Sequence, residues 1–161
     1  MDIRKVVFPV DLAGSSYRIA PRVRSIVDEL DAELHVVIVV ESFEGYNTFF
    51  VPHRSLDLME KEGEALEKRH LEEFAEKYFQ DRPGVKLAVL RGDPVEQIRR
   101  YIESEGIDMV IMATHDKFPL ERAIYGDIVE QITRTSPVPV TVINPFVDKV
   151  AQATEERQAA Q

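Results

Sequence analysis

Apolar positions along this chain follow two rhythms. Five short runs rich in β-branched residues, at 5–10, 34–41, 85–90, 108–113 and 138–143, read as strands. Four of them are nearly continuously apolar, the pattern of strands covered on both faces. The run 85–90 mixes Val85, Leu87 and Val89 with Lys86, Ala88 and Leu90, as a strand at a sheet edge allows.

Between the strands the period changes to that of a helix. Ile19, Val23, Ile26, Val27 and Leu30 form one stripe, with Ser15 or Ser16 as the expected cap. Pro21 is expected either near the first helical position or as a kink in the early turns. A second helix is expected over about 58–79, burying Leu71, Phe74, Ala75 and Tyr78. A third has the best-marked start: Asp93 as cap, Pro94 at the first position and Glu96 as capping-box partner. It turns Ile98 and Ile102 inward and ends at Gly106. A fourth carries Ile124, Ile128 and Ile132 and stops before Pro137.

The order is therefore β-α-β-α-β-α-β-α-β, followed by a polar tail. We expect one α/β domain over 1–147 and a tail over 148–161, with an open parallel sheet and helices on both faces. In such sheets ligands bind beyond the carboxyl ends of the strands, where the strand order reverses. The segments 11–16, 41–55 and 114–127, which follow the first, second and fourth strands, are the candidate site.

Composition narrows the classes. The 161 residues include no cysteine, so a disulfide scaffold, thiolate zinc ligation and cysteine nucleophiles are excluded. Twenty Lys+Arg against 29 Asp+Glu give a formal net charge of −9, which argues against non-specific nucleic-acid binding. The longest apolar run, residues 36–40, is too short for a membrane span. Asp2, Arg4, Lys5 and Asp11 interrupt any signal-peptide core, so a cytoplasmic location is expected.

Three parts of the chain resemble the universal stress protein family. They are Phe8-Pro9-Val10-Asp11 at the end of the first strand, Gly92-Asp93-Pro94 at the start of the third helix, and the run 107–145. That run is the most specific, because strand, His-containing loop, helix and Pro-Val-Pro-Val strand recur in register. The resemblance covers about residues 3–146. It implies a Rossmann-like five-stranded parallel sheet in the order 3-2-1-4-5, a homodimer and, in many members, bound ATP or a related adenine nucleotide. The matching site positions here are Pro9, Val10, Asp11, Val39, Val40, Met112, Ala113, Thr114, His115, Asp116, Gly126, Asp127 and Ile128. Asp11 would meet ribose or adenine, Val39 or Val40 the adenine, and Met112 the base. In any buried strand Val39, Val40 and Met112 are also expected as core, so Asp11 carries most of the information.

The phosphate half departs from the family pattern. Its signature is Gly, two residues, Gly, nine residues, Gly, then Ser or Thr; here those places hold Ala113, Asp116, Gly126 and Asp127. A further loop glycine falls at Pro119. Glycine there permits positive φ and close backbone approach to an anion, whereas proline removes a donor. Asp116 and Asp127 bring negative charge where phosphate would sit, Asp127 at the positive end of a helix. Each carboxylate–phosphate pair costs roughly 4 kcal/mol at about 4 Å and an effective dielectric of about 20. Two such pairs offset a micromolar affinity of about 8 kcal/mol. The expectation is thus a non-enzymatic, dimeric stress-response protein with no cofactor and no ATP held in the family's usual way. A small molecule or a protein is its expected partner. The alternative is an ATP- or AMP-binding member that uses a divalent cation such as magnesium, with Lys117 and Arg122 adding positive charge.

Other residues carry less. His115, Asp116, Asp127 and Asp11 could form a metal-assisted hydrolytic site, but their spacing matches no metal motif. His35 and His70 lack partners at ligand spacing and are expected to be solvated or satisfied locally. Phe43, Tyr46, Phe49 and Phe50 crowd four aromatics into eight residues, as a lid, a contact surface or a loop folded on the core. Residues 57–80 hold eight acidic side chains against four Lys/Arg, and i,i+4 pairs such as Glu64–Lys68 and Glu73–Lys77 suggest a solvated face. The last strand is an edge that, by the resemblance, pairs with its twin through Val138, Val140 and Val142.

Overall fold

The chain is a five-stranded parallel sheet in the order β3-β2-β1-β4-β5, in a computed structural model that describes residues 1–12, 14–40, 53–114 and 127–146. The strands are β1 (Lys5–Pro9), β2 (Glu33–Val40), β3 (Val85–Arg91), β4 (Met109–Ala113) and β5 (Val140–Ile143). Four helices are described: α1 (Gly14–Glu29), α2 (His53–Phe79), α3 (Pro94–Glu105) and α4 (Asp127–Thr135). The proposed tail and the aromatic cluster at 43–50 lie outside the described residues.

Side-chain alternation along the strands divides the core in two. Val6, Phe8, Leu34, Val36, Ile38, Met109 and Ile111 face α1 and α2, where they meet Ile19, Val23, Val27, Leu71, Phe74 and Phe79. Val7, Val37, Val110 and Met112 point the other way, onto Ile98 and Ile102 of α3 and Ile132 of α4. That division explains the near-continuous apolar runs, because neither face of β1, β2 or β4 meets water. The mixed run at 85–90 is an edge strand, and its Leu87 is 39% exposed.

Local chemistry sets the helix ends. Asp93 caps α3 in extended conformation, accepting from the Glu96 N–H at 2.9 Å, and Gly106 closes it at φ 64°. The capping box is only half formed, since the Glu96 carboxylate pairs with Arg100 instead of returning to residue 93. Gly92 sits at φ 130°, a backbone conformation that side chains rarely adopt, so glycine is required by the backbone; the atoms nearest an added Cβ belong to the movable Gln97 side chain.

Several expectations need correction. Ser15 and Ser16 lie inside the first turn of α1, which begins at Gly14, and neither is its cap. Both are buried, and the Ser16 hydroxyl serves Asp11. Pro21 lies inside α1 on its exposed side, not at the first helical position. Leu30 leaves the buried stripe because α1 ends at Glu29 and Asp31 turns the chain at φ 50°. α2 buries Leu71, Phe74 and Ala75 as expected and Phe79 in addition, while Tyr78 is only partly buried at the rim of that cluster. β5 starts at Val140 and not Val138, because Pro139 has no N–H for the ladder; its carbonyl still accepts from Val110 N at 2.9 Å.

Candidate functional site

β1 and β4 are neighbours, yet the chain leaves them in opposite directions, to β2 on one side and β5 on the other. This is the reversal point of a doubly wound sheet, where the loops diverge and open a crevice. A cavity of about 470 Å³ lies there. Its floor is made of strand ends: Pro9 with Val10 and Asp11, then Ile38, Val39 and Val40, then Met112 and Ala113. Ile98 of α3 and Ile128 and Val129 of α4 close one wall. The volume suits a drug-sized organic molecule, and the apolar floor suits a flat ring.

Asp11 is the polar group set into this floor. The Ser16 hydroxyl donates to its Oδ1 at 2.7 Å and accepts from its backbone N–H at 3.1 Å. The carboxylate is therefore held at the first turn of α1, where the positive end of the helix favours negative charge. The next residue, Leu12, adopts φ 52°, a left-handed conformation uncommon for leucine. Across the site, Thr114 follows β4 with its N–H on Ile143 O at 2.9 Å. Its buried hydroxyl oxygen has no hydrogen-bond partner among the described residues.

The roof comes from α2. Met59, Glu60, Gly63, Glu64, Leu66 and Glu67 line the cavity from that helix. Arg91, the last residue of β3, reaches Glu60 at 3.2 Å and also pairs with Glu64, tying strand end to helix. The acidic stretch is thus not purely a solvated face. The expected Glu64–Lys68 pair gives way to Glu64–Arg91, and Lys77 lies 5.3 Å from the Tyr78 ring centroid and 5.8 Å from that of Tyr17. The signal for the roof is weak: Glu60 and Glu64 are one turn apart, and Arg91 is the charged residue that ends β3, one place beyond the strand that the sequence predicts.

Of the expected site positions, Pro9, Val10, Asp11, Val39, Val40, Met112, Ala113 and Ile128 all border this one cavity. Thr114 adjoins it in sequence but is not among its lining residues. His115, Asp116 and Gly126 lie outside the described residues, as do Pro119 and the side chain of Asp127, so the phosphate positions other than Ala113, and the suggested metal-assisted centre other than Asp11, fall there too. No group of three His, Asp or Glu side chains is placed to hold a metal among the described residues. Nor is any helix among them long and apolar enough to cross a membrane. His35 is not in the cavity. It is fully buried beside Glu33 and Tyr101, so of the two expectations for it, local satisfaction holds and solvation does not.

Comparison with known proteins agrees with this architecture. The model of the universal stress protein family matches residues 2–144. Universal stress protein MJ0531 of Methanocaldococcus jannaschii is 30% identical over 145 residues, covering 87% of this chain and 81% of that protein. Among solved structures, a universal stress protein in complex with cAMP superposes with a TM-score of 0.67 at 15% identity, over 90% of this chain and 99% of the other. The universal stress protein from Archaeoglobus fulgidus in complex with dAMP gives a TM-score of 0.60 at 12% identity, over 89% and 99%.

Proposed function

This chain belongs to the universal stress protein family, and from that premise we propose that it acts by binding a small adenosine-like ligand in the cavity at the reversal point, without catalysing a reaction. The observation that carries the reading is the convergence of Val39, Val40, Met112, Ala113 and Ile128 with Asp11 around one volume of about 470 Å³. Apolar strand ends offer two faces for a purine ring, and the Asp11 carboxylate, oriented by Ser16, is an acceptor for a ribose hydroxyl. Two fold neighbours hold cAMP and dAMP, which supports a ligand with an adenine base.

The phosphate half is where this protein departs. Asp116, Pro119 and Asp127 replace residues that would leave room and donors for phosphate, so a triphosphate gains nothing over the nucleoside. The protein works in the cytoplasm as a stress-response homodimer joined through β5, with Val140 and Val142 on the shared edge.

Isothermal titration with adenosine, and with ATP in the presence and absence of magnesium, tests this. Adenosine is expected to bind, and Ala113→Trp, which fills the floor, is expected to abolish it. ATP is expected to bind no tighter than adenosine. Tighter binding of magnesium–ATP, weakened by Asp127→Ser, would favour the cation-dependent nucleotide reading in its place.

A further inference from the structure

We infer that the amino-terminal half of α2 is an opening cover for this cavity, which unwinds locally to admit a ligand and is latched shut by Arg91. The inference rests on the ligand-binding reading above and adds how access to that site is regulated. α2 is held in two different ways along its length. From Leu71 onward it is a core helix, with Leu71, Phe74, Ala75 and Phe79 buried. Between Asp57 and His70 no residue is buried, although Met59, Gly63 and Leu66 border the cavity. Met59 and Leu66 remain 56% and 44% exposed. Apolar burial therefore fixes the carboxyl-terminal half and contributes little to the other. Segments with few buried apolar contacts open at a lower free energy than the whole fold, which is the property that a cover needs.

Two further features fall on the same turns. Gly63 stands inside the helix, where only proline is less favourable than glycine. It has no positive φ, and among the described residues no atom lies within 4 Å of an added Cβ. Neither backbone nor packing demands glycine there, so its effect is to weaken the helix at that point. Arg91 ties the turns on either side of Gly63 to the sheet. From the end of β3 it reaches Glu60 at 3.2 Å and also pairs with Glu64. Glu60 takes part in a further interaction, so the latch is defined by Arg91, which both pairs share. Arg91 and Glu64 are 37% and 47% exposed, so the latch is modest in strength and weakens with salt. It holds the cover down without locking it.

Backbone amide hydrogen exchange of the full chain, read by mass spectrometry on peptides from 59–66 and 71–79, tests this. In the wild-type protein 59–66 is expected to exchange at least about ten-fold faster than 71–79. Arg91→Gln should speed exchange of 59–66 by about five-fold, the size of one exposed ion pair. Gly63→Ala should slow it by about four-fold, the difference in helix propensity. Neither variant should alter 71–79, which also reports that both are folded. Sodium chloride at about 0.5 M should speed 59–66 more in the wild type than in Arg91→Gln. Saturating adenosine is expected to slow 59–66, because a bound ligand favours the closed cover. Equal exchange in the two halves, or no response of 59–66 to either variant, would overturn the inference. So would adenosine that binds by calorimetry without slowing 59–66, a result that leaves the adenosine reading in place. The expected variant and salt responses, with no binding of adenosine, would support the cover and overturn the adenosine reading.

Discussion

His35 shows how a polar side chain is accommodated in a sheet covered on both faces. It is fully buried on β2, and both ring nitrogens have partners: Nε2 with Glu33 Oε1 at 2.6 Å and Nδ1 with the Tyr101 hydroxyl at 2.9 Å. The carboxylate and the phenol thus satisfy one ring nitrogen each, and no polar atom of the ring is left without a partner. Glu33 also meets Lys86 at 3.0 Å; that hydrogen bond, then the one from His35, holds its carboxyl below the usual range. Burial, reinforced by Glu105 and Glu33, pushes the Tyr101 hydroxyl up to about 12. The sign follows. A raised phenol pKa favours the protonated folded state, so stability is intact below pH 10.0 and falls as pH rises toward about 12. Glu33 acts oppositely: its contribution is present above the ordinary carboxylate range and is lost as acid drives the pH through its lowered pKa. Urea unfolding across pH is expected to show an alkaline decline that Tyr101→Phe removes. The same variant should cost about 1–3 kcal/mol at neutral pH, because His35 Nδ1 loses its partner in the core. An unchanged alkaline limb would contradict this assignment. The sequence hinted at half of the network, since Glu33 and His35 share a strand face; Tyr101, 66 residues away, could not be read from spacing.

At the scale of elements, legibility tracked how local the determining physics is. Both ends of α3 were readable because Asp93 and Pro94 at its start and Gly106 at its end act on their own backbone. The role of α2 was not, because it depends on where a long helix comes to rest. Its carboxyl-terminal half packs Leu71, Phe74 and Phe79 into the core. Beyond it, Arg82 binds Asp28 at 2.7 Å and the Val27 carbonyl at 3.1 Å, anchoring that end to the last turn of α1. The amino-terminal half instead overhangs the cavity, leaves Leu58 and Met59 more than half exposed, and is tied down by Arg91. β5 is the other element whose meaning lies beyond its own residues. It is a four-residue edge strand with Val142 38% exposed, an open ladder that invites pairing. In the proposed dimer that edge is covered by its twin. Light scattering after gel filtration is expected to give a dimer for the wild-type protein and a monomer for Val142→Glu. A wild-type monomer would contradict the proposal.

For the whole molecule, the alternation of apolar strands and amphipathic helices dictated the topology, and the topology dictated the place of the cavity. A parallel sheet whose order reverses between β1 and β4 opens at their carboxyl ends, so the segment that begins at Asp11 is legible as part of the site from topology, while Met112 and Ala113 are legible only through the family resemblance. The net charge of −9 was harder to interpret. It argued against a non-specific nucleic-acid partner, whereas Glu60, Glu64 and Glu67, which line the cavity, lie within a helix that reads as solvated. The central claim is that this cavity is the working site and that it takes an adenosine-like molecule. Amide NMR spectra recorded during an adenosine titration test it most directly. The account predicts saturable shifts clustered at Asp11, Val39, Val40, Met112, Ala113 and Ile128, and none around Glu33 and Asp108 at the opposite end of the sheet. Shifts absent from that cluster, or centred on the opposite end, would contradict it.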